Sequence, residues 1–313
     1  MASKQAEELR NLYRGWAGAL SGGMPLEEWR DMVERWEIVT GEPGGTDYLE
    51  TDAGGVPAMW AVPKGCAADR VLLCLHGGGF VVGSMYTHRK LFGHIAKAVG
   101  ARALIPDFRR PPEHVHPAPL QDAVTAYGWL LEQGIDASHV AFTGDSAGGG
   151  LAITALLRAR EQGLPLPAAA MPFSPWVDME YTGESLVSNK GKDALFEGKE
   201  AIQALAGIFP GEGGSPQDQL ATPLYADLAG LPPMYIQVSG DELLLDDSCR
   251  LAEHARNAGM EVWLDIFGGQ QLQHTFQFSA GRAPEADEAI RRLAEWVRPK
   301  LGLADAAATA EAT

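Results

Sequence analysis

The chain predicts an α/β fold, a doubly wound and mostly parallel sheet of about eight strands, on three observations. Short apolar runs recur at Val71 to Leu75, Ala101 to Pro106, Val140 to Thr143, Ala168 to Phe173, Met234 to Ser239 and Val262 to Phe267. Each has the length and composition of a strand buried on both faces. Helical stretches such as Leu151 to Arg160 and Leu251 to Ala258 separate most of them, as crossover connections between parallel strands require. At 313 residues the chain is long enough for one large core of this kind with a small accessory element.

Residues 1–36 carry apolar side chains at helical spacing: Leu9, Leu12, Tyr13 and Trp16, then Leu26, Trp29, Met32, Val33 and Trp36 beyond a Ser-Gly-Gly break. Two amphipathic helices are expected there, and their acidic or mixed polar faces favour packing over the domain against lying on a membrane. Residues 37–63 change to short β-type runs around Asp52-Ala-Gly-Gly55, read as an antiparallel hairpin at a sheet edge. Residues 180–222 break the alternation and read as an insertion above the sheet. The organisation expected is therefore N-terminal cap helices over 1–36, a core over 37–179 and 223–303, a cap insertion over 180–222 and a disordered tail over 304–313.

Composition narrows the partners. A formal charge of −16, from 41 acidic and 25 basic residues, repels phosphate backbones and anionic lipid, so nucleic acid is not an expected partner. No apolar run reaches the roughly 20 residues that span a bilayer, and the first residues lack the apolar centre of a signal peptide, so a cytoplasmic protein without stable membrane insertion is expected. Cys66, Cys74 and Cys249 lack metal-binding spacing and are odd in number, which argues against a metal site or a disulfide framework. A homodimer is compatible with this composition.

The chemistry starts at Gly144-Asp-Ser-Ala-Gly148, a G-x-S-x-G pattern lying between a strand and a helix. A serine on so sharp a turn needs glycine on both sides, and the helix that begins there points its positive end at the site. Ser146 is the expected nucleophile, and Asp145 is expected to hydrogen-bond its own turn. His76-Gly-Gly-Gly-Phe80 follows the strand Val71 to Leu75. Its glycines can turn amide hydrogens inward to stabilise an oxyanion, and Gly78, Gly79 and the Ala147 amide are the expected donors. The loop has no phosphate-binding Gly-Lys-Ser/Thr ending. His76, at the strand end, is expected to anchor that loop.

A serine hydroxyl needs an imidazole to take its proton and a carboxylate to orient the imidazole. The strand Met234 to Ser239 leads into Asp241, the expected acid, with Asp246 and Asp247 as competitors better suited to capping the next helix. Among eight histidines only His274 follows the last strand. The order Ser146, Asp241, His274, with spacings of 95 and 33 residues, suits the fold. His88, His94, His114, His116, His139 and His254 are expected to be surface or structural.

Together, His76-Gly-Gly-Gly-Phe, Gly144-Asp-Ser-Ala-Gly-Gly, Ser174-Pro-Trp-Val-Asp178, Asp241-Glu-Leu and His274 resemble the hormone-sensitive-lipase-like (bacterial type IV) esterases of the α/β-hydrolase fold. Asp107 to Ala118 is similar to the family's Tyr-Arg-x-Ala-Pro-Glu-His element, although Arg110-Pro111 replace Leu-Ala and His116 an aromatic. Glu113 in this element is expected to be an anchor. The run Val238 to Asp247 is similar to the branch of monoterpene lactone hydrolases and short-chain esterases. The resemblance implies a cap over the acyl and alcohol pockets, no cofactor, and a serine carboxylesterase acting on small, fairly apolar esters. A lactonase or amidase with the same triad, or a non-catalytic ligand-binding relative, are the alternatives.

Overall fold

A computed structural model describes residues 2–196, 198–210, 214–268 and 271–304. Eight strands form one sheet: β1 Thr46–Asp52, β2 Pro57–Pro63, β3 Val71–Leu75, β4 Arg102–Pro106, β5 Val140–Asp145, β6 Ala169–Phe173, β7 Met234–Ser239 and β8 Val262–Phe267. Their order is β1-β2-β4-β3-β5-β6-β7-β8. Strand β2 runs antiparallel to both its neighbours and all other pairs are parallel, so the expected edge hairpin is present as β1 and β2. The stretch from Glu37 to Val39, expected to begin the β region, instead completes a 3-10 turn over Glu34–Val39 whose Trp36 and Val39 are buried.

The winding reverses between β3 and β5. Strand β3 connects outward to β4, and the chain then returns to place β5 on the other side of β3. A crevice opens beyond the carboxyl ends of the strands at such a switch point. The loops that leave β3 and β5 are the two glycine-rich motifs. Every residue of β3, β5, β6 and β7 is buried, as expected of strands sandwiched between helices.

The helices are α1 Lys4–Ser21, α2 Leu26–Val33, α3 Met85–Val99, α4 Ala118–Glu132, α5 Ser146–Glu161, α6 Ser185–Ser188, α7 Lys199–Ala206, α8 Leu245–Asn257 and α9 Pro284–Lys300. Helix α9 buries Ile290, Leu293 and Val297, while Trp296 stays partly exposed. Helices α1 and α2 lie over the carboxyl edge of the sheet, where Trp36 stacks on Phe278 with ring centres 4.1 Å apart. The Arg30 guanidinium of α2 clasps Glu113 at 2.7 and 2.9 Å and also donates to the carbonyls of Val81 and Pro111. Glu113 is thus an anchor for the N-terminal helices. The 180–222 region carries α6 and α7, and of the predicted tail residues 305–313 lie outside the described residues.

Candidate active site

Ser146 opens α5 directly after β5, with its backbone held at φ +53°, a left-handed conformation that costs a non-glycine residue energy. Its neighbourhood leaves no choice of residue type. A Cβ added to Gly148 would stand 2.0 Å from the Leu75 carbonyl oxygen and 2.5 Å from that of His76, so only glycine lets α5 start this close to the end of β3. The serine is thereby raised above the sheet beside the glycine loop.

Asp145, expected to serve its own turn, makes no capping bond to α5 and reaches across to the glycine loop instead. Its buried carboxylate accepts the Gly77 N–H at 2.9 Å, and His88 of α3 stands 3.3 Å from the same group. That bond pins the glycine loop to the nucleophile turn. Within the loop Gly78 adopts φ +110°, where a Cβ would meet the Val82 carbonyl oxygen at 2.1 Å. With the Gly77 amide taken by Asp145, the Gly78 and Gly79 amides find no acceptor among the described residues, and both glycines line one cavity with Ser146. His76 is fully buried, faces the Gly77 carbonyl from Nδ1 at 2.8 Å and stacks on Phe108. Burial, with His88 and Arg110 nearby, holds its pKa well below the ordinary value, so it serves as a neutral loop anchor.

His274 lies where the order of motifs placed it, but its partner differs. The Nδ1 atom of His274 is 3.1 Å from Glu242 Oε1, whereas Asp241 Oδ2 is buried with no hydrogen-bond partner among the described residues. The expectation that Asp241 orients the imidazole is therefore corrected to Glu242. The reason is local. The other oxygen of Glu242 accepts the Ser174 hydroxyl at 2.8 Å and the Ser239 N–H at 3.1 Å, which fixes the carboxylate beneath the ring. Of two adjacent acids after β7, the backbone turn at Gly240 brings only the second to the ring. Nothing in the sequence order separates the two, and the signal that does, the donors Ser174 and Ser239, comes together only in space.

Burial lowers the pKa of His274, but Glu242, by charge and hydrogen bond, and then Asp193 and Asp145 outweigh it and raise the pKa above the ordinary histidine value. The opposite nitrogen, Nε2, is buried without a hydrogen bond to any described residue, Ser146 included. Both side chains nevertheless line the same cavity of about 40 Å³. Its walls are apolar: Trp16 and Trp29 from α1 and α2, Trp36 just beyond, and Phe196 and Leu205 from the insertion. The sequence placed these aromatics on helices without assigning them to a pocket. Leu205 sits directly over the glycine loop, where a Cβ on Gly79 would come within 2.8 Å of its Cδ1.

The competing acids have other partners. Helix α8 begins without a side-chain cap, against expectation. Asp246 instead accepts the Ser185 N–H at 2.8 Å, and Asp247 accepts those of Val177 and Asp178 at 2.9 and 3.0 Å, so both tie neighbouring loops to α8. Among the described residues no group of three or more His, Cys, Asp or Glu side chains is placed to hold a metal ion, and no helix is long and apolar enough to cross a membrane. All three cysteines are free, and Cys74 is a buried core residue.

A serine on a strand-to-helix elbow, a glycine loop at the switch point and a carboxylate-held histidine after the last strand define an α/β-hydrolase. Residues 72–278 match the family described as alpha/beta hydrolase fold. The chain is 39% identical to an acetyl-hydrolase of Streptomyces hygroscopicus, over 88% of this chain and 97% of that protein. A solved esterase of the bacterial hormone-sensitive lipase family superposes with a TM-score of 0.90 at 40% identity, over 96% of this chain and all of that one. The esterase EstE5, in crystals soaked with p-nitrophenyl butyrate, gives 0.88 at 36% identity, over 96% and 100% of the two chains. The chain belongs to the hormone-sensitive-lipase-type bacterial esterase family of the α/β-hydrolases.

Proposed function

We propose that the protein is a serine carboxylesterase in which Ser146 is the nucleophile, His274 the general base and acid, and Glu242 the residue that orients it. The observation that carries the reading is His274, gripped at Nδ1 by Glu242 with Nε2 left free in the cavity that Ser146 also lines. A carboxylate on Nδ1 keeps the proton there, so Nε2 is the acceptor a serine proton needs. The two side chains are not yet hydrogen-bonded, and such contacts commonly tighten only once substrate is bound.

In the first step Ser146 Oγ attacks the ester carbonyl carbon as its proton passes to Nε2. The negative charge on the former carbonyl oxygen is met by the amides of Gly78, Gly79 and Ala147, each contributing about 3 kcal/mol. Collapse of the intermediate breaks the bond to the alkoxy oxygen, which leaves as the alcohol with the proton from Nε2. Water then attacks the acyl-serine, losing its proton to Nε2, and the acid departs as Ser146 recovers its hydrogen. No step calls for a cofactor.

The small, tryptophan-lined cavity suits short, fairly apolar acyl groups, and the names of the similar proteins, an acetyl-hydrolase and an esterase exposed to a butyrate ester, point the same way. The partner is then a small-molecule ester met in the cytoplasm, by a chain whose charge of −16 disfavours nucleic acid. Ser146→Ala is the test: it should abolish hydrolysis of p-nitrophenyl acetate and butyrate while leaving the circular dichroism unchanged, and retained turnover would refute the mechanism. Rates on a lactone and an anilide measured beside the linear ester separate esterase from lactonase or amidase.

A further inference from the structure

We propose that Asp193, a carboxylate of the cap insertion outside the triad, is a positioning residue that holds the Glu242–His274 pair in register and supports the charge that forms on the imidazole; this rests on the esterase reading above. Asp193 is buried between the insertion and the two loops that carry the acid and the base. Its Oδ2 accepts the N–H of Leu243, the residue after Glu242, at 3.1 Å. Its Oδ1 accepts the N–H of Leu195 at 2.9 Å and, more weakly at 3.4 Å, that of Phe196. The next residue, Ala194, donates to the side chain of Gln273 at 2.7 Å, one position before His274, and the Phe196 ring lies 5.5 Å from the imidazole.

The same segment grips from a further side. Asn189 Nδ2 donates to the carbonyls of Gly240 at 3.1 Å and Glu242 at 2.9 Å. Between Asn189 and Phe196 the insertion thus holds both loops within one residue of the acid and of the base. A cap serving only as a roof would not need these bonds.

Charge supplies a second argument. The ionisable groups facing His274 are Glu242 from the loop after β7, Asp193 from the insertion and Asp145 from the end of β5. A buried carboxylate is costly unless something offsets it. Burial, with Glu242 nearby, raises the pKa of Asp193; His274 and the Leu243 and Leu195 amides offset this in part, and His274 is the group facing it that becomes a cation when it takes the serine proton. An attraction that grows as the proton transfers lowers the barrier, whereas an equal attraction throughout would not.

Asp193→Asn keeps the size and removes the charge. With p-nitrophenyl butyrate we expect kcat to fall about ten- to hundred-fold, as a slackened base does, with KM within about two-fold. The acid limb of the kcat profile should move to lower pH, because one of the carboxylates that favour protonated His274 is gone. Asp193→Glu, which retains the charge on a longer arm, should lower kcat yet leave the acid limb at its wild-type pH. Unchanged kcat and acid limb in Asp193→Asn, in an otherwise active enzyme, would overturn the role of Asp193 alone. A wild-type protein inactive on every ester would overturn the esterase reading and this one with it. Should Asp193→Asn fail to fold, Asp193→Glu decides: an unmoved acid limb with lowered kcat supports the proposal, and wild-type kcat or a displaced limb refutes it.

Discussion

Exchanging the charge on Glu242 distinguishes the two adjacent acids directly. Its carboxylate meets three donors, with Oε1 on His274 Nδ1 and Oε2 on the Ser174 hydroxyl and the Ser239 amide. Glutamine has one acceptor oxygen in place of two. If that oxygen stays with Ser174 and Ser239, the new NH2 group faces Nδ1 and forces the proton to Nε2, the tautomer that cannot accept from Ser146. If the amide turns over, two donors lose their acceptor instead. The equivalent loss in a serine triad costs about 10⁴ in kcat, or about 5.4 kcal/mol of barrier at 1.36 kcal/mol per decade. Asp241→Asn, by contrast, removes a carboxylate that does not touch the imidazole, and its kcat should stay within about three-fold of wild type. Initial rates on p-nitrophenyl butyrate at pH 8, with thermal melts to show that both variants are folded, make the comparison. A loss of 10³ or more in Asp241→Asn beside near-normal Glu242→Gln would refute the assignment of the acid.

Because the folded-state pKa of His274 is raised and only the neutral ring accepts a proton, the acid limb of kcat/KM should lie above the ordinary histidine range of about 6.5; a limb well below it would contradict the environment described. The buried Asp247 has its pKa pushed up to about 7, so the folded state favours its protonated form and loses stability as pH rises from about 4 through 7. Asp247→Asn, whose single carbonyl oxygen can still accept from Val177 and Asp178, should flatten that part of the melting-temperature profile. Gly148→Ala should destabilise by about 3 kcal/mol or more, since backbone oxygens at 2.0 and 2.5 Å cannot yield to a methyl group, and a chemical denaturation midpoint measures it. Leu205→Ala should open the cavity above Gly79 and raise the rate on octanoate relative to acetate esters; an unchanged ratio would show that Leu205 does not limit chain length.

The strands were legible because parallel strands buried on both faces must be short, apolar and interrupted by helices. Val71–Leu75 and Met234–Ser239 stand buried where their apolar runs predicted, whereas Val262–Phe267 forms a strand at its predicted place but at the sheet edge, with none of its residues buried. The nucleophile turn was legible for a related reason: Gly144 and Gly148 answer to a clash between neighbouring backbones, and a clash leaves its mark on residue type. The 3-10 continuation over residues 37–39 was not, because an apolar run too short to tell strand from helix was settled by the neighbouring Trp36 packing on Phe278.

By itself, then, the amino-acid order determined the sheet, the elbow serine, the glycine loop and the histidine after the last strand, since each is imposed by rules acting within a few residues. Tertiary structure alone decided that Glu242 and not Asp241 meets His274, that Asp246 and Asp247 hold loops rather than cap a helix, and that three tryptophans and Leu205 wall the cavity. Those outcomes depend on which donors and which apolar faces converge from segments up to about 260 residues apart, as Trp16 and His274 are brought to one cavity by a fold with long-range connections. A one-residue difference in where a carboxylate points carries no local signature, because it is set by hydrogen-bond donors on the other side of the site.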